Sequence, residues 1–284
     1  MKRFSRIIER VQYEPWLITP AGHAAIRQLL ESKLAGDVPP SFWQQQQGSE
    51  GAPPAAGGRT IDRAGLAHLP VSGVLGNRLS WLEKICGGAD YQDIGTALEA
   101  AVDDGARGIL LHLDSPGGMA NGAGETAELI ASAGVPVIAY TDTIMCSAAY
   151  YLAASAQRIL AAPSAAVGSI GVMLPWVDQG RLWAQEGLEF APILSQDSEL
   201  KSAGAGPSLS PAQRRHLQAQ ADALYADFTG FVSRYRQIDF AGLAGGAYFG
   251  QAARAANLVD GLGTYGDAYQ ALLGLVDNGR PGNR

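Results

Sequence analysis

From about residue 60 onward the sequence predicts an α/β fold, a mostly parallel sheet covered by helices. Three observations carry this reading. Strand-like and helix-like stretches alternate along the chain. The strand-like stretches are near-continuous apolar runs, the pattern of strands buried on both faces. The 36 glycines among 284 residues punctuate the alternation with tight turns and close backbone approaches.

The elements follow in order. Residues 1–35 form an N-terminal arm with an amphipathic helix, in which Ile26, Leu29, Leu30 and Leu34 recur at helical spacing after Pro20. Residues 36–59, rich in Pro, Gly and Gln, read as a linker, so the arm is expected to be separable from the core. A docking arm, a pro-segment and a packed extension all fit it. Leu66–Leu75 reads as a strand ending at a glycine turn. A helix over Tyr91–Asp104 carries Ile94, Leu98 and Val102 four apart. Gly108–Asp114 is a second buried strand, Ser115–Gly118 a turn, and Ala123–Ala133 a helix. Val135–Tyr140 is the next strand, followed by a short turn and an alanine-rich helix over Ala148–Gln157. Shorter strands are expected at Arg158–Ala162 and Val167–Met173. Ser210 and Pro211 start a long helix, with Leu217, Leu224, Phe228, Phe231 and Val232 on its apolar face. The segment from Tyr248 to Leu273 reads as strand, short helix and closing helix, so residues 60–275 form one domain and 276–284 a polar tail.

Composition excludes several functions. A net charge of −6 lacks the basic stripe of a nucleic-acid binder. No window holds the roughly 18 uninterrupted apolar residues of a membrane span, and the charged N-terminus lacks the apolar core of a signal peptide. Two cysteines, Cys86 and Cys146, are too few for a disulfide framework or a zinc site, and suit a reducing cytoplasm. Cys146 reads as a small buried hydrophobe. No metal or cofactor is expected.

The chemistry concentrates around Ser147, which stands between a buried strand and the alanine-rich helix. Its hydroxyl there lies near free backbone N–H groups, a location that suits a nucleophile whose attack creates an oxyanion; an ordinary N-cap serine fits the same place. In Asp114-Ser-Pro-Gly-Gly118, Gly117 and Gly118 allow close backbone approach and can aim N–H groups at an anion, while Asp114 holds the turn; an ordinary β–α turn is the alternative. A serine nucleophile needs a base. His23 lies in the arm, His68 and His112 in strand runs, and His216 on a solvated helix face. Of the four lysines, Lys201 alone follows Ser147, in a small-residue stretch; it reads either as a solvated loop residue or as a base, and a base must be neutral, which requires burial. Ala148, Ala149 and Met173 are candidates to line such a pocket. Ser169, within Gly168-Ser-Ile-Gly171, either orients that amine or is a core serine bonded to backbone.

Taken together, Asp114-Ser-Pro-Gly-Gly118, Ser147-Ala-Ala-Tyr-Tyr, Gly168-Ser-Ile-Gly-Val and Leu200-Lys-Ser-Ala resemble the signal peptide peptidase A family of serine–lysine peptidases, with the lysine 54 positions (201 − 147) after the serine. The resemblance covers about residues 60–275. It implies the Clp protease/crotonase-like superfold of stacked ββα units, with Ser147 as nucleophile, Lys201 as base, Ser169 orienting it, and the Gly118 and Ala148 N–H groups as oxyanion hole. Clp proteases place a histidine near the strand that here reads Gly-Ser-Ile-Gly-Val. The soluble arm, in place of a membrane anchor, is similar to the bacteriophage branch of head-maturation proteases (minor capsid protein C type), whose members often continue into a scaffold-like tail not seen here. That branch implies a capsid scaffold or portal protein as polypeptide substrate, a homo-oligomer, and a cytoplasmic or procapsid setting. Two rivals are a crotonase-type acyl-CoA enzyme, which would want a carboxylate acid–base pair, and a catalytically silent assembly protein.

Overall fold

A computed structural model describes residues 10–34, 58–85, 87–176, 178–189, 191–202 and 208–278. The expected linker falls almost wholly outside these residues, as do Cys86 and most of the tail.

The expected ββα repeat is present. The first strand of each unit, β3 (Leu66–Ser72), β6 (Gly108–Asp114), β8 (Val137–Thr141) and β10 (Arg158–Ala161), joins a parallel sheet. Its order is β13-β10-β8-β6-β3-β2, with β13 (Gly261–Leu262) at one edge and β2 (Thr60–Ile61), the antiparallel member, at the other. The second strands are short: β4 (Val74–Gly76), β7 (Gly117–Met119), β9 (Ile144–Cys146) and β11 (Ala166–Gly168). They line up as a second layer, through β4–β7 pairing, a Ser115–Met145 bridge and β9–β11 pairing. The expected single strand over Leu66–Leu75 is therefore two, broken at Gly73, whose φ is +94°. The strand expected over Val167–Met173 spans only Ala166–Gly168, because Gly168 and Ser169 both take positive φ and turn the chain.

Helices complete the units: α1 (Pro20–Leu34) in the arm, then α2 (Trp81–Ile85), α3 (Tyr91–Asp103), α4 (Ala123–Ala131) and α5 (Ala148–Ala153). A further strand, β5 (Gly88–Asp90), pairs with β4. Asp90 caps α3 by accepting from the Gln92 N–H at 3.0 Å. The alanine-rich helix α5 is shorter than its composition suggests; Ala154–Gln157 turns instead into β10, with the Gln157 N–H donating to Val137 O at 2.9 Å. Alternation then sorts the side chains. Ala67, Leu69, Ile109, Leu111, Ala139 and Ile159 face the core shared with α3, α4 and α5. Leu66, Leu110, Ile138 and Leu160 face the other way, onto the closing helix.

The C-terminal half covers these surfaces. After α6 (Gly180–Gln185) comes α7 (Pro211–Ser233), opened by a Ser210/Gln213 capping box with Pro at its start. Of the five residues expected on its apolar face, Phe228, Phe231 and Val232 are buried, while Leu217 and Leu224 are half-buried. Phe228 stacks on Tyr151 of α5 at 4.5 Å, so α7 buttresses the helix behind Ser147. Next come α8 (Phe240–Leu243), β12 (Ala247–Phe249), which pairs with β11, and α9 (Gly250–Ala255). The closing helix α10 (Tyr265–Asn278) lays Ala268, Leu272 and Val276 on the outer face of the sheet. Among the described residues no helix is long and apolar enough to cross a membrane.

The arm is not merely tethered. Its strand β1 (Trp16–Ile18) pairs antiparallel with β7, and all three residues are buried.

Candidate active site

Ser147 occupies the junction of β9 and α5 in a conformation that serine rarely adopts, φ 54° and ψ −115°, close to the first central position of a II′ turn. Such geometry costs on the order of 1–3 kcal/mol and persists only where the surroundings over-determine it. Here they do. The Ser147 N–H donates to Gly168 O at 2.7 Å, its carbonyl accepts from the Tyr151 N–H at 2.9 Å, and the preceding Cys146 N–H donates to Ser115 O at 3.1 Å. The residue is 1% exposed, and its Oγ lies 3.5 Å from Gly171 O. No side-chain capping bond is made, so the N-cap reading does not account for the serine.

Two glycine segments flank it. On one side Gly117 and Gly118 thread between neighbouring backbones. A Cβ at Gly117 would lie 2.1 Å from Leu17 O and 3.0 Å from Cys146 O; one at Gly118 would lie 1.9 Å from Leu75 O. Neither position has room for a side chain. The Gly117 N–H donates to Ser115 Oγ at 3.1 Å. On the other side β11 runs parallel to β9 and brings Ser169 next to Ser147. Ser169 is buried, has φ 51°, and donates its N–H to Gly246 O at 2.7 Å. The Asp114 carboxylate accepts from the Thr143 hydroxyl, tying the end of β6 to the loop that leads to Ser147 rather than to its own turn. Ala148 is fully buried at the start of α5.

Lys201 is placed differently. It lies in a short 3-10 helix, Glu199–Ser202, with an exposed side chain, and it makes no hydrogen bond to Ser147. The burial that a neutral amine requires is not met in this conformation. The described part of the segment from 178 to 202 buries no residue, and leaves Leu182, Leu188, Ile193, Leu194 and Leu200 exposed. The sequence order thus brings Ser147, Ser169, Gly117, Gly118, Ala148 and Asp114 together, and holds Lys201 on a surface segment.

The histidines are engaged elsewhere. His68 and His112 lie on the outer face of the sheet. His68 contacts Tyr265 Oη at 2.6 Å and Asp62 at 3.2 Å, and His112 contacts Asp142 at 3.0 Å. His23 is buried in the arm against Val11 O and the edge of Trp16. Cys146 is the buried hydrophobe expected of it: burial pushes its thiol pKa up to about 12.

What the sequence missed is Trp16–Ile18. Three apolar residues between Pro15 and Pro20 show no periodicity, and only the distant pairing with Gly117–Met119 makes them a strand.

The profile of Peptidase family S49 matches residues 130–277. The head-tail preconnector protein GP5 of Enterobacteria phage P21 is 31% identical over 98% of this chain and 58% of its own length. The capsid assembly protease C of Escherichia phage lambda is 34% identical over 75% of this chain and 50% of its own length. Protease 4 of Salmonella typhi is 31% identical over 60% of this chain and 28% of its own. The chain thus spans about half the length of the two phage relatives.

Proposed function

Because the chain belongs to peptidase family S49, we propose that it hydrolyses peptide bonds with Ser147 as nucleophile and Lys201 as general base. The observation that carries the proposal is the strained, buried Ser147, held by backbone bonds between the Gly117–Gly118 pair, which admits no side chain, and the Gly168–Ser169 turn. The Ser147 hydroxyl adds to the scissile carbonyl while the Lys201 amine takes its proton. The amine returns that proton to the leaving nitrogen, and water then hydrolyses the acyl-enzyme. The Gly118 and Ala148 N–H groups hold the oxyanion, and loss of one such donor typically costs about 10²–10³ in rate. Ser169, adjacent to Ser147 through β11, orients the amine.

Lys201 reaches Ser147 in this scheme only when its segment packs down. The exposed leucines and isoleucine of residues 182–200 favour packing against another copy of the chain, and so a homo-oligomer. Similarity to the two phage proteins favours a capsid scaffold or portal protein as substrate, met in the host cytoplasm or the procapsid.

The test is cleavage of a mixed pool of unfolded proteins, read by mass spectrometry, for wild type, Ser147→Ala and Lys201→Ala. Cuts made by wild type and lost in both variants are expected. A Lys201→Ala protein of undiminished activity would remove the lysine from the mechanism, and an active Ser147→Ala protein would overturn the whole reading.

A further inference from the structure

The arm strand β1 lies against the glycine pair assigned above to the oxyanion. Leu17 is opposite Gly118, Trp16 opposite Met119 and Ile18 opposite Gly117. At the two ends of this ladder, the Thr19 N–H donates to Pro116 O at 3.0 Å and the Ala120 N–H to Pro15 O at 3.1 Å. Antiparallel pairs alternate between bonded and non-bonded. With Thr19/Pro116 and Pro15/Ala120 bonded, Leu17/Gly118 is the bonded pair between them, which sets the Gly118 N–H on the Leu17 carbonyl. On its other edge β1 is held just as firmly. Trp16 and Met173 exchange both backbone bonds, each at 2.9 Å. Met173 follows Gly171, whose carbonyl is the neighbour of Ser147 Oγ.

We infer that the slot between Gly117–Met119 and Met173 is the substrate-binding site for an extended apolar peptide, and that residues 15–19 of the chain's own arm occupy it as a resident competitor. The inference rests on the peptidase reading for the identity of the Gly118 donor. Without β1, the free edge of β7 is a short row of unpaired backbone groups beside Ser147, open to peptide addition as an antiparallel strand. With β1 in place, all three of its side chains are buried and the Gly118 N–H is spent. The occupant is anchored on its N-terminal side: Arg10 pairs with Glu83 at 3.0 Å and donates to Asn77 O, and the Trp16 Nε1–H donates to Arg10 O at 3.1 Å. A resident segment lowers the apparent affinity for any other peptide by the fraction of molecules whose slot is free.

The experiment displaces the arm within the full chain. Leu17→Pro removes the N–H that β1 offers β7, and Trp16→Ala removes its largest anchor; circular dichroism checks that each variant folds. A fluorescein-labelled peptide spanning residues 12–22 is titrated by anisotropy onto Ser147→Ala, and onto Ser147→Ala carrying Leu17→Pro or Trp16→Ala. With Ser147 intact, the same arm variants are assayed on the unfolded-protein pool. Peptide affinity and cleavage rate are both expected to rise by about 10-fold or more when the arm is displaced. Folded arm variants that bind the peptide no better than the parent would overturn the inference, whatever their activity. Tighter peptide binding with no cleavage by any form would leave the slot standing and remove the peptidase reading instead.

Discussion

Gly118→Ala isolates the geometry of the β4–β7 contact. The added methyl would lie 1.9 Å from Leu75 O, 2.5 Å from Leu75 C and 2.6 Å from Leu75 Cα, all of them backbone. Ordinary contact begins at 3.4 Å, so the two strands must separate by about 1.5 Å (3.4 − 1.9) along that line. No side chain can swing aside to absorb this. Overpacking of a tight interior costs about 1–3 kcal/mol. The shift also drags the Gly118 N–H, and a misplacement of about 1 Å at a reacting centre costs about 100-fold in rate. Gly230→Ala is the control. Gly230 lies inside α7 with nothing within 4 Å of the new methyl, so that change should stabilise by about 0.5–1 kcal/mol and leave cleavage unaltered. Urea unfolding gives the stabilities, and cleavage of an unfolded protein gives the rates. A Gly118→Ala protein with the stability and activity of wild type would refute the reasoning, since it would mean that β4 and β7 part without consequence.

Other outcomes follow from single contacts. Phe228→Ala, which empties a fully buried site stacked on Tyr151, should cost about 3–5 kcal/mol in urea or thermal unfolding, and a loss below about 1 kcal/mol would mean that α7 does not buttress α5. In a Cys86→Ser background, Cys146 should resist thiol reagents at pH 8 until the protein unfolds, because a pKa of about 12 leaves almost no thiolate; prompt labelling of the native protein would contradict the burial. Burial works against ionised Asp62, but the Leu66 and Ala64 N–H groups together with Tyr269 and His68 outweigh it and hold its carboxyl below the usual value. Its contribution is therefore present above about pH 4 and lost as pH falls through the lowered value, so Asp62→Asn should flatten the acid limb of the stability curve. An unchanged acid limb would exclude that role.

How far the sequence discloses this molecule differs by element. The apolar runs Gly108–Asp114 and Val135–Tyr140 mark buried strands because both of their faces are covered, and the structure finds strands there at Gly108–Asp114 and Val137–Thr141. The glycine pair is legible because a backbone that must approach Leu75 and Leu17 this closely excludes every larger residue. By contrast, a three-residue strand has no period to read. Trp16–Ile18 is defined by partners that no local pattern names. The α5 boundary fails for a related reason: alanine content favours helix through Gln157, but the Gln157 N–H and side chain are taken by Val137, and that tertiary pairing ends the helix earlier. Lys201 shows a third limit. Its spacing from Ser147 is plain in the sequence, whereas its exposure is set by how a weakly packed surface segment sits.

The position of β1 in the chain also sets an order of events during synthesis. Trp16–Ile18 leaves the ribosome before its partners: Gly118 follows Leu17 by 101 residues (118 − 17) and Met173 follows Trp16 by 157 (173 − 16). The ββα units between them are local in sequence and can close as each emerges, whereas β1 must wait and then pay the entropy of a long loop. A segment made before its partners is therefore among the last to find its place, and the nascent chain passes through an interval in which the platform around Ser147 is built and its resident strand has not yet arrived.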